Sequence, residues 1–378
     1  MHSHPSNKSG NLFLFLCICL LTFSCSSDIK PERSFCFWKT TYYGEREDDT
    51  ILADLDVGHI YLRIFDVDWN PYLKAALPVA SLSYSNLESD SLDITPSIFI
   101  TNQVMLYSSK QQLDTLAINV ADRVTYYIED YKSGLNRYKA YRIRNNTKKE
   151  SAPESGEKKF DEHFKELLID CDWSEKSKDN YFYFLKKLKE KMPELPVSAT
   201  IRLWQYKYRD MAGIPPVDRG LLMCYNLQSA EHYQVENSIS SAAELEKYLD
   251  VEKYPFDLDI ALPVFSWAVL FRGGEFKGII NDITAENCIH DTVQYAQIGE
   301  NRFVFKTDKV EGNIYIRSGD ELRIEKVSIE ELEKMVDLLT KKDVVQSTSR
   351  VTFFSYDRKY INDYGTENIN KIYSLFDL

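Results

Sequence analysis

Eight short apolar runs recur along this chain, and segments with helical spacing fall between them. The runs are Ser34–Lys39, Ile60–Asn70, Ile94–Ile100, Leu167–Trp173, Val197–Gln205, Gly220–Asn226, Leu258–Phe265 and Arg350–Asp357. Leu116, Val120, Val124 and Ile128 mark a helix from Leu113 to about Tyr131; Tyr181, Phe184, Leu185 and Leu188 mark another. Strands that alternate with helices call for parallel βαβ units. Eight of them in order call for closure. The expected fold is therefore α/β, a single (β/α)8 TIM barrel over residues 34–378. Two stretches fall outside that plan. Residues 136–162 are polar and read as a surface excursion. Residues from about 273 to 349 exceed one connection, and they read as a small α+β insertion between strands 7 and 8 with its own helix at Glu330–Leu339.

Alternation along the strands assigns faces. A barrel strand turns its apolar face outward to the helices. Ala199, Ile201 and Leu203 meet that need on strand 5, which sends Ser198, Thr200, Arg202 and Trp204 inward. Ile60, Leu62 and Ile64 do so on strand 2 and turn Arg63 inward. On strand 4, Ile169, Cys171 and Trp173 face out while Leu168, Asp170 and Asp172 face in. The expected lumen thus gathers Arg63, Asp170, Asp172, Arg202 and Asp259, charges that burial tolerates only in pairs.

The chain carries 46 Lys and Arg against 58 Asp and Glu, a formal charge of −12, which excludes a nucleic-acid backbone as an expected partner. At its start, Lys8 precedes an apolar run from Leu12 to Phe23, too short to span a bilayer and suited to a signal peptide. The run ends in Leu20-Leu21-Thr22-Phe23-Ser24-Cys25. That resembles a bacterial lipoprotein signal, which implies removal of the leader, lipidation of Cys25 and a polar tether over 26–33. An ordinary secretory signal cleaved nearby is the alternative. On either reading the protein is exported; on the first it is lipid-anchored to the cell envelope at the outer membrane, and the anchor alone touches the membrane. Cys36, Cys171, Cys224 and Cys288 have no metal-like spacing and read as buried thiols. No metal and no cofactor is expected.

Strand 4 holds the densest chemistry. Ile169-Asp170-Cys171-Asp172-Trp173, followed by Asn180-Tyr181-Phe182-Tyr183-Phe184-Leu185, resembles the fourth-strand signature of the family 18 glycoside hydrolases, chitinase-like barrels that carry D-x-x-D-x-D-x-E. Met223-Cys224-Tyr225-Asn226 and Ile260-Ala261-Leu262-Pro263-Val264-Phe265 resemble that family's sixth and seventh strands. In the family, the glutamate protonates the glycosidic oxygen and the preceding aspartate orients the substrate's acetamido group as nucleophile. The resemblance places Asp172 as the orienting aspartate, Asp170 as the inner one and Tyr225 on the acetamido carbonyl. It also marks departures. Leu167 stands at the first aspartate, Ser174 at the acid and Asn226 at the sixth-strand aspartate.

Serine cannot supply a proton near neutrality, so hydrolysis needs another acid. Glu175 is one residue along and enters the site only if a bulge turns it in. The candidate catalytic set is Asp170, Asp172 and Glu175. The candidate sugar contacts are Arg202, Trp204, Tyr225, Asn226, Trp69 and Tyr356, with the aromatics as stacking platforms. Two readings remain for the two aspartates: a lumenal ion-pair network with Arg202 and Arg63, or a working site. Correspondingly, the chain is a glycosidase-like barrel that acts on or binds a polysaccharide, or a non-catalytic glycan-binding or envelope scaffold.

Overall fold

The computed structural model describes residues 30–43, 46–85, 92–145 and 163–377. The signal segment, Cys25 and most of the expected excursion lie outside those residues.

Eight parallel strands form the centre: β1 Glu32–Phe37, β2 His59–Asn70, β3 Asp93–Ile100, β4 Leu167–Asp170, β5 Val197–Arg202, β6 Arg219–Met223, β7 Leu258–Pro263 and β8 Arg350–Phe354. Each pairs with the next, and β1 pairs with both β8 and β2, so the sheet has no open edge. This is a closed (β/α)8 barrel, as the strand succession predicts. Around it lie α1 Arg46–Asp54, α2 Lys110–Asn145, α3 Lys178–Lys191, α4 Leu203–Lys207, α5 Ala242–Leu249, α6 Ile329–Lys341, α7 Arg358–Tyr364 and α8 Thr366–Ser374. The outward faces are as expected: Ile60, Leu62, Ile169, Ala199 and Ile201 are all buried beneath the helices.

Three boundaries differ from the sequence reading. Helix α2 runs to Asn145, through the first part of the expected excursion, because residues 135–145 are mostly good helix formers with no proline. Strand β5 stops at Arg202. There Gln205, fully buried, accepts from the Arg202 backbone N–H at 2.7 Å and donates to the Trp173 carbonyl at 2.9 Å, so the chain turns into α4. The insertion starts earlier and ends sooner. Its antiparallel sheet uses Ser266–Arg272, Glu275–Ile280, Tyr295–Gln297, Arg302–Phe305 and Glu321–Lys326, and it has its own core around Leu270, Phe303, Phe305 and Leu322. Helix α6 is not part of it. Leu332, Met335, Val336 and Leu339 pack into the main barrel core.

The lumen is layered. At the end where the strands begin, Arg350 bridges Glu166 at 2.7 Å and Asp259 at 3.2 Å, Arg219 reaches Asp259 at 2.9 Å, and the Tyr61 hydroxyl donates to Asp259 at 2.6 Å. Beside it, at the start of β2, neutral His59 hydrogen-bonds Ser34 and Thr95, both at 2.8 Å. Burial, reinforced by Arg350, Lys165 and Arg219, holds this imidazole well below its ordinary pKa. These layers plug the barrel, so only the strands' C-terminal end is left for chemistry.

Candidate functional site at the barrel mouth

The register between strands sets one level of the mouth. Phe99 on β3 pairs with both Asp66 on β2 and Asp170 on β4, so these three residues share a height. The Asp170 side chain is buried and accepts from the Thr200 hydroxyl at 2.7 Å. Asp172, two residues on, is half-exposed and pairs with Arg202 at 3.0 Å. Burial and the neighbouring Asp172 push the Asp170 carboxyl up to about 7, while Thr200, Arg202 and Arg63 draw it down. The sealed Asp170 carboxyl therefore readily holds a proton.

Arg63 does not join that pair directly. Its guanidinium grips Asp66, donates to the Trp38 carbonyl at 2.9 Å and lies over the Trp38 ring at 6.0 Å. The ion-pair network expected of four groups is thus two separate pairs, Asp172 with Arg202 and Asp66 with Arg63.

Ser174 and Glu175 sit beyond the strand. The Ser174 N–H donates to Ser177 Oγ at 2.9 Å, which shapes the turn that leads into α3, and Glu175 is exposed on that turn. There is no bulge that brings Glu175 inward. A physical reason is Trp173: it is fully buried, stacks on Tyr181 at 5.0 Å and donates its indole N–H to the Ala212 carbonyl at 2.9 Å. With Trp173 anchored outward, the chain has no slack to rotate Glu175 over the lumen.

On the other side of the mouth the side chains are aromatic. Phe354, at the end of β8, stacks on Tyr225 (4.7 Å, 23°), meets Phe265 edge-on at 5.7 Å and lies 5.7 Å from Trp38. Phe265 in turn meets Trp267 at 5.2 Å. A continuous row, Trp38–Phe354–Tyr225–Phe265–Trp267, runs from β1 to the base of the insertion. The Tyr225 hydroxyl hydrogen-bonds no protein group among the described residues. Burial first, then the fields of Cys36 and Asp170, keep it protonated as a donor. Asn226 follows with φ 55°, and its amide oxygen is buried without a partner.

Other sequence candidates lie elsewhere. Tyr356 is buried, edge-on to Phe35 at 5.3 Å, and its hydroxyl donates to Asp48 at 2.7 Å, so it is a packing residue. Trp204 is on the first turn of α4, half-buried, with no hydrogen bond or ring contact for its indole among the described residues. Trp69 lies where β2 overshoots the barrel to pair with Ala75–Ser81, 5.8 Å from Tyr107. Phe354, Phe265, Phe99, Asp66 and the two ends of the row, Trp38 and Trp267, are the mouth residues that sequence reasoning missed. Alternation from Arg350 and Thr352 points to Phe354 once the strand is stopped there. Among the described residues, no group of His, Cys, Asp or Glu is placed to hold a metal, and no helix is long and apolar enough to cross a membrane.

The fold and the mouth define the class: a (β/α)8 barrel with a polar, aromatic-lined C-terminal face. No protein-family model matches the sequence, and no curated protein does. Similar solved structures include the Bacillus cereus spore cortex-lytic enzyme SleL (10% identity, TM-score 0.49, covering 92% of this chain and 75% of that one). They also include the C-terminal domain of a putative chitinase from Desulfitobacterium hafniense DCB-2 (8%, 0.45, 92% and 100%). A xylanase-α-amylase inhibitor protein in complex with trehalose is a third (10%, 0.40, 92% and 97%). At such identities and scores, the fold rests on the strand pairing itself.

Proposed function

We propose that the barrel mouth is a carbohydrate-binding site in an exported, lipid-anchored envelope protein, and that it binds its glycan without hydrolysing it. The carrying observation is that a five-member aromatic row, with Trp38, Phe354 and Trp267 part-exposed, stands at the same end of the barrel as the polar Asp170–Asp172–Arg202 group. Pyranose rings present apolar faces for such rows and hydroxyls for such polar groups. Tyr225 and Asn226 add a free donor and a free acceptor beside the row.

Hydrolysis is disfavoured by what stands at the acid's place. Ser174 lacks a usable proton, Glu175 points to solvent, and Asp170 is sealed beneath Thr200 and Asp172. Asp172 is tied to Arg202 at 3.0 Å. Titration of the exported, mature protein with soluble oligosaccharides, followed by calorimetry and tryptophan fluorescence, tests the reading. Expected are binding, its loss in Phe354→Ala and Arg202→Met, and no release of reducing ends. Reducing ends from wild type, abolished in Asp172→Asn, would instead show an enzyme. Incorporation of labelled fatty acid by wild type and not by Cys25→Ser tests the anchor.

A further inference from the structure

Helix α2 is longer than the barrel it packs on. It has 36 residues, whereas α3, which makes the same passage beside it, has 14. It starts near the mouth: Gln112 donates at 2.8 Å to the Lys74 carbonyl, at the tip of the ribbon where β2 overshoots the barrel. It reaches the other end of the barrel at Tyr131. This buried ring lies edge-on to Phe164 at 5.3 Å, and Phe164 bridges to Ile94 at the start of β3. Past Tyr131 the helix leaves the core. Ser133 is exposed, and a methyl group at Gly134 would meet no atom within 4 Å among the described residues. At 1.5 Å per residue, residues 132–145 carry the helix about 21 Å beyond the strand starts.

The charge changes sign at the same point. From Lys110 to Tyr131 the helix carries Asp114, Asp122, Glu129 and Asp130 against Lys110 and Arg123. Lys132 pairs back to Glu129 at 2.8 Å. From Ser133 to Asn145 it carries Arg137, Lys139, Arg142 and Arg144, interleaved with Tyr138 and Tyr141, and no acid. The chain as a whole has a net charge of −12, so this basic run is set against the background. Basic residues interspersed with tyrosines are the composition of segments that rest in an anionic headgroup layer.

The position of the run fits that layer. Strand β1 starts at Glu32, at the barrel end from which the helix projects, and its Ser34 is level with His59 and Asp93. The chain from Cys25 to Lys30 spans about 18 Å at most. A bilayer held by a lipid on Cys25 is thus kept at a distance comparable with the reach of the helix. The mouth, at the opposite end, faces away from it.

We propose that residues 133–145 of α2 dock on the anionic lipid headgroups of the membrane that carries the anchor. This second, electrostatic contact stands the barrel upright with its mouth outward, so the anchor is not the membrane's only contact. The proposal rests on the exported, lipid-anchored reading of the chain, and it is independent of what the mouth binds.

The test uses the mature chain from Ser26, without Cys25, so that no lipid assists. The probes are vesicles of phosphatidylcholine alone and of phosphatidylcholine mixed with phosphatidylglycerol. The protein should sediment with the mixed vesicles and not with the neutral ones, and added salt should release it. Arg137→Gln/Lys139→Gln/Arg142→Gln/Arg144→Gln should weaken binding by more than about tenfold. Its melting curve should match wild type, since glutamine is as good a helix former as lysine or arginine. Arg137→Lys/Lys139→Arg/Arg142→Lys/Arg144→Lys keeps the charge and should bind as wild type does. The salt release of wild type reads the same contact without any substitution. No preference of wild type for the mixed vesicles, or full binding by the glutamine variant, overturns the proposal. So does capture by a soluble polyanion, dextran sulfate, with none by the vesicles, which would assign the run to an acidic polymer. Labelled fatty acid on Cys25 of the full chain reads the anchor separately. Label without vesicle binding by the chain from Ser26 overturns the proposal and keeps the anchor; vesicle binding without label supports the helix contact and overturns the anchor.

Discussion

Asp170 carries the sharpest consequence at the residue scale. Its carboxyl is raised in the folded protein, by burial first and by Asp172 second. The folded state therefore retains a proton that the unfolded chain, with an ordinary Asp near 3.9, has already released. Stability falls with pH wherever the native state binds more protons. The loss starts above the unfolded value and is complete once pH passes about 7. Asp170→Asn removes this titration while keeping an acceptor for Thr200. Chemical denaturation should show the variant gaining on wild type from pH 5 to pH 8; a constant difference would mean the carboxyl titrates normally. Ser174 gives the second residue-scale prediction. If the acid is the principal loss, Ser174→Glu should release reducing ends slowly from an N-acetylated oligosaccharide that wild type only binds. Retained binding without turnover would show that the Asp172–Arg202 pair must also be undone. The two aspartates were legible in the sequence because alternation marks them, and Tyr225 was picked out by the family resemblance alone. The aromatic row was not, since Phe354 and Phe265 look like ordinary apolar strand residues until the strand ends are known.

At the scale of the element, strand parity was readable and strand length was not. Ala199, Ile201 and Leu203 are buried as their alternation predicts, but β5 ends at Arg202 because Gln205 caps the turn and ties it to the end of β4. That tie moved Trp204 off the strand and onto a helix. Tyr356 was displaced in the same way when β8 ended at Phe354. The plug at the start of the strands was only partly visible: Asp259 was expected inside, yet Glu166 and Arg350 stand at strand edges where parity is ambiguous. Its energetics are testable. Arg350 pairs with Glu166 and Asp259, whose side chains are 6% and 1% exposed, so Arg350→Met leaves the buried Glu166 without its cation and Asp259 with Arg219 alone. Breaking a buried pair on one side costs about 3–5 kcal/mol. Urea unfolding at neutral pH should show a loss of that order, partly recovered at pH 5 because Glu166, already raised by burial, then takes up a proton. A loss that is independent of pH would refute the role of the unpaired carboxylate.

For the whole molecule, closure is the property on which the site depends. The mouth takes Trp38 from just past β1, Asp170 and Asp172 from β4, and Phe354 from β8, so no half of the barrel contains it. Strand β1 lies between β8 and β2, with Phe35 and Cys36 almost fully buried and the Ser34 carbonyl accepting from Tyr373 on α8. Without β1, two strands acquire open edges and a row of backbone groups loses its partners. Residues 26–33 are the polar tether of the sequence reading, and β1 begins at Glu32. Two truncations separate these cases. A chain that starts at Lys30 should melt within a few degrees of the mature protein and retain glycan affinity. A chain that starts at Trp38 should lose cooperative unfolding and expose apolar surface to a hydrophobic dye while keeping much of its helical signal. Cooperative melting of the second truncation would mean that β8 and β2 can close on each other, and that seven strands suffice to hold the mouth.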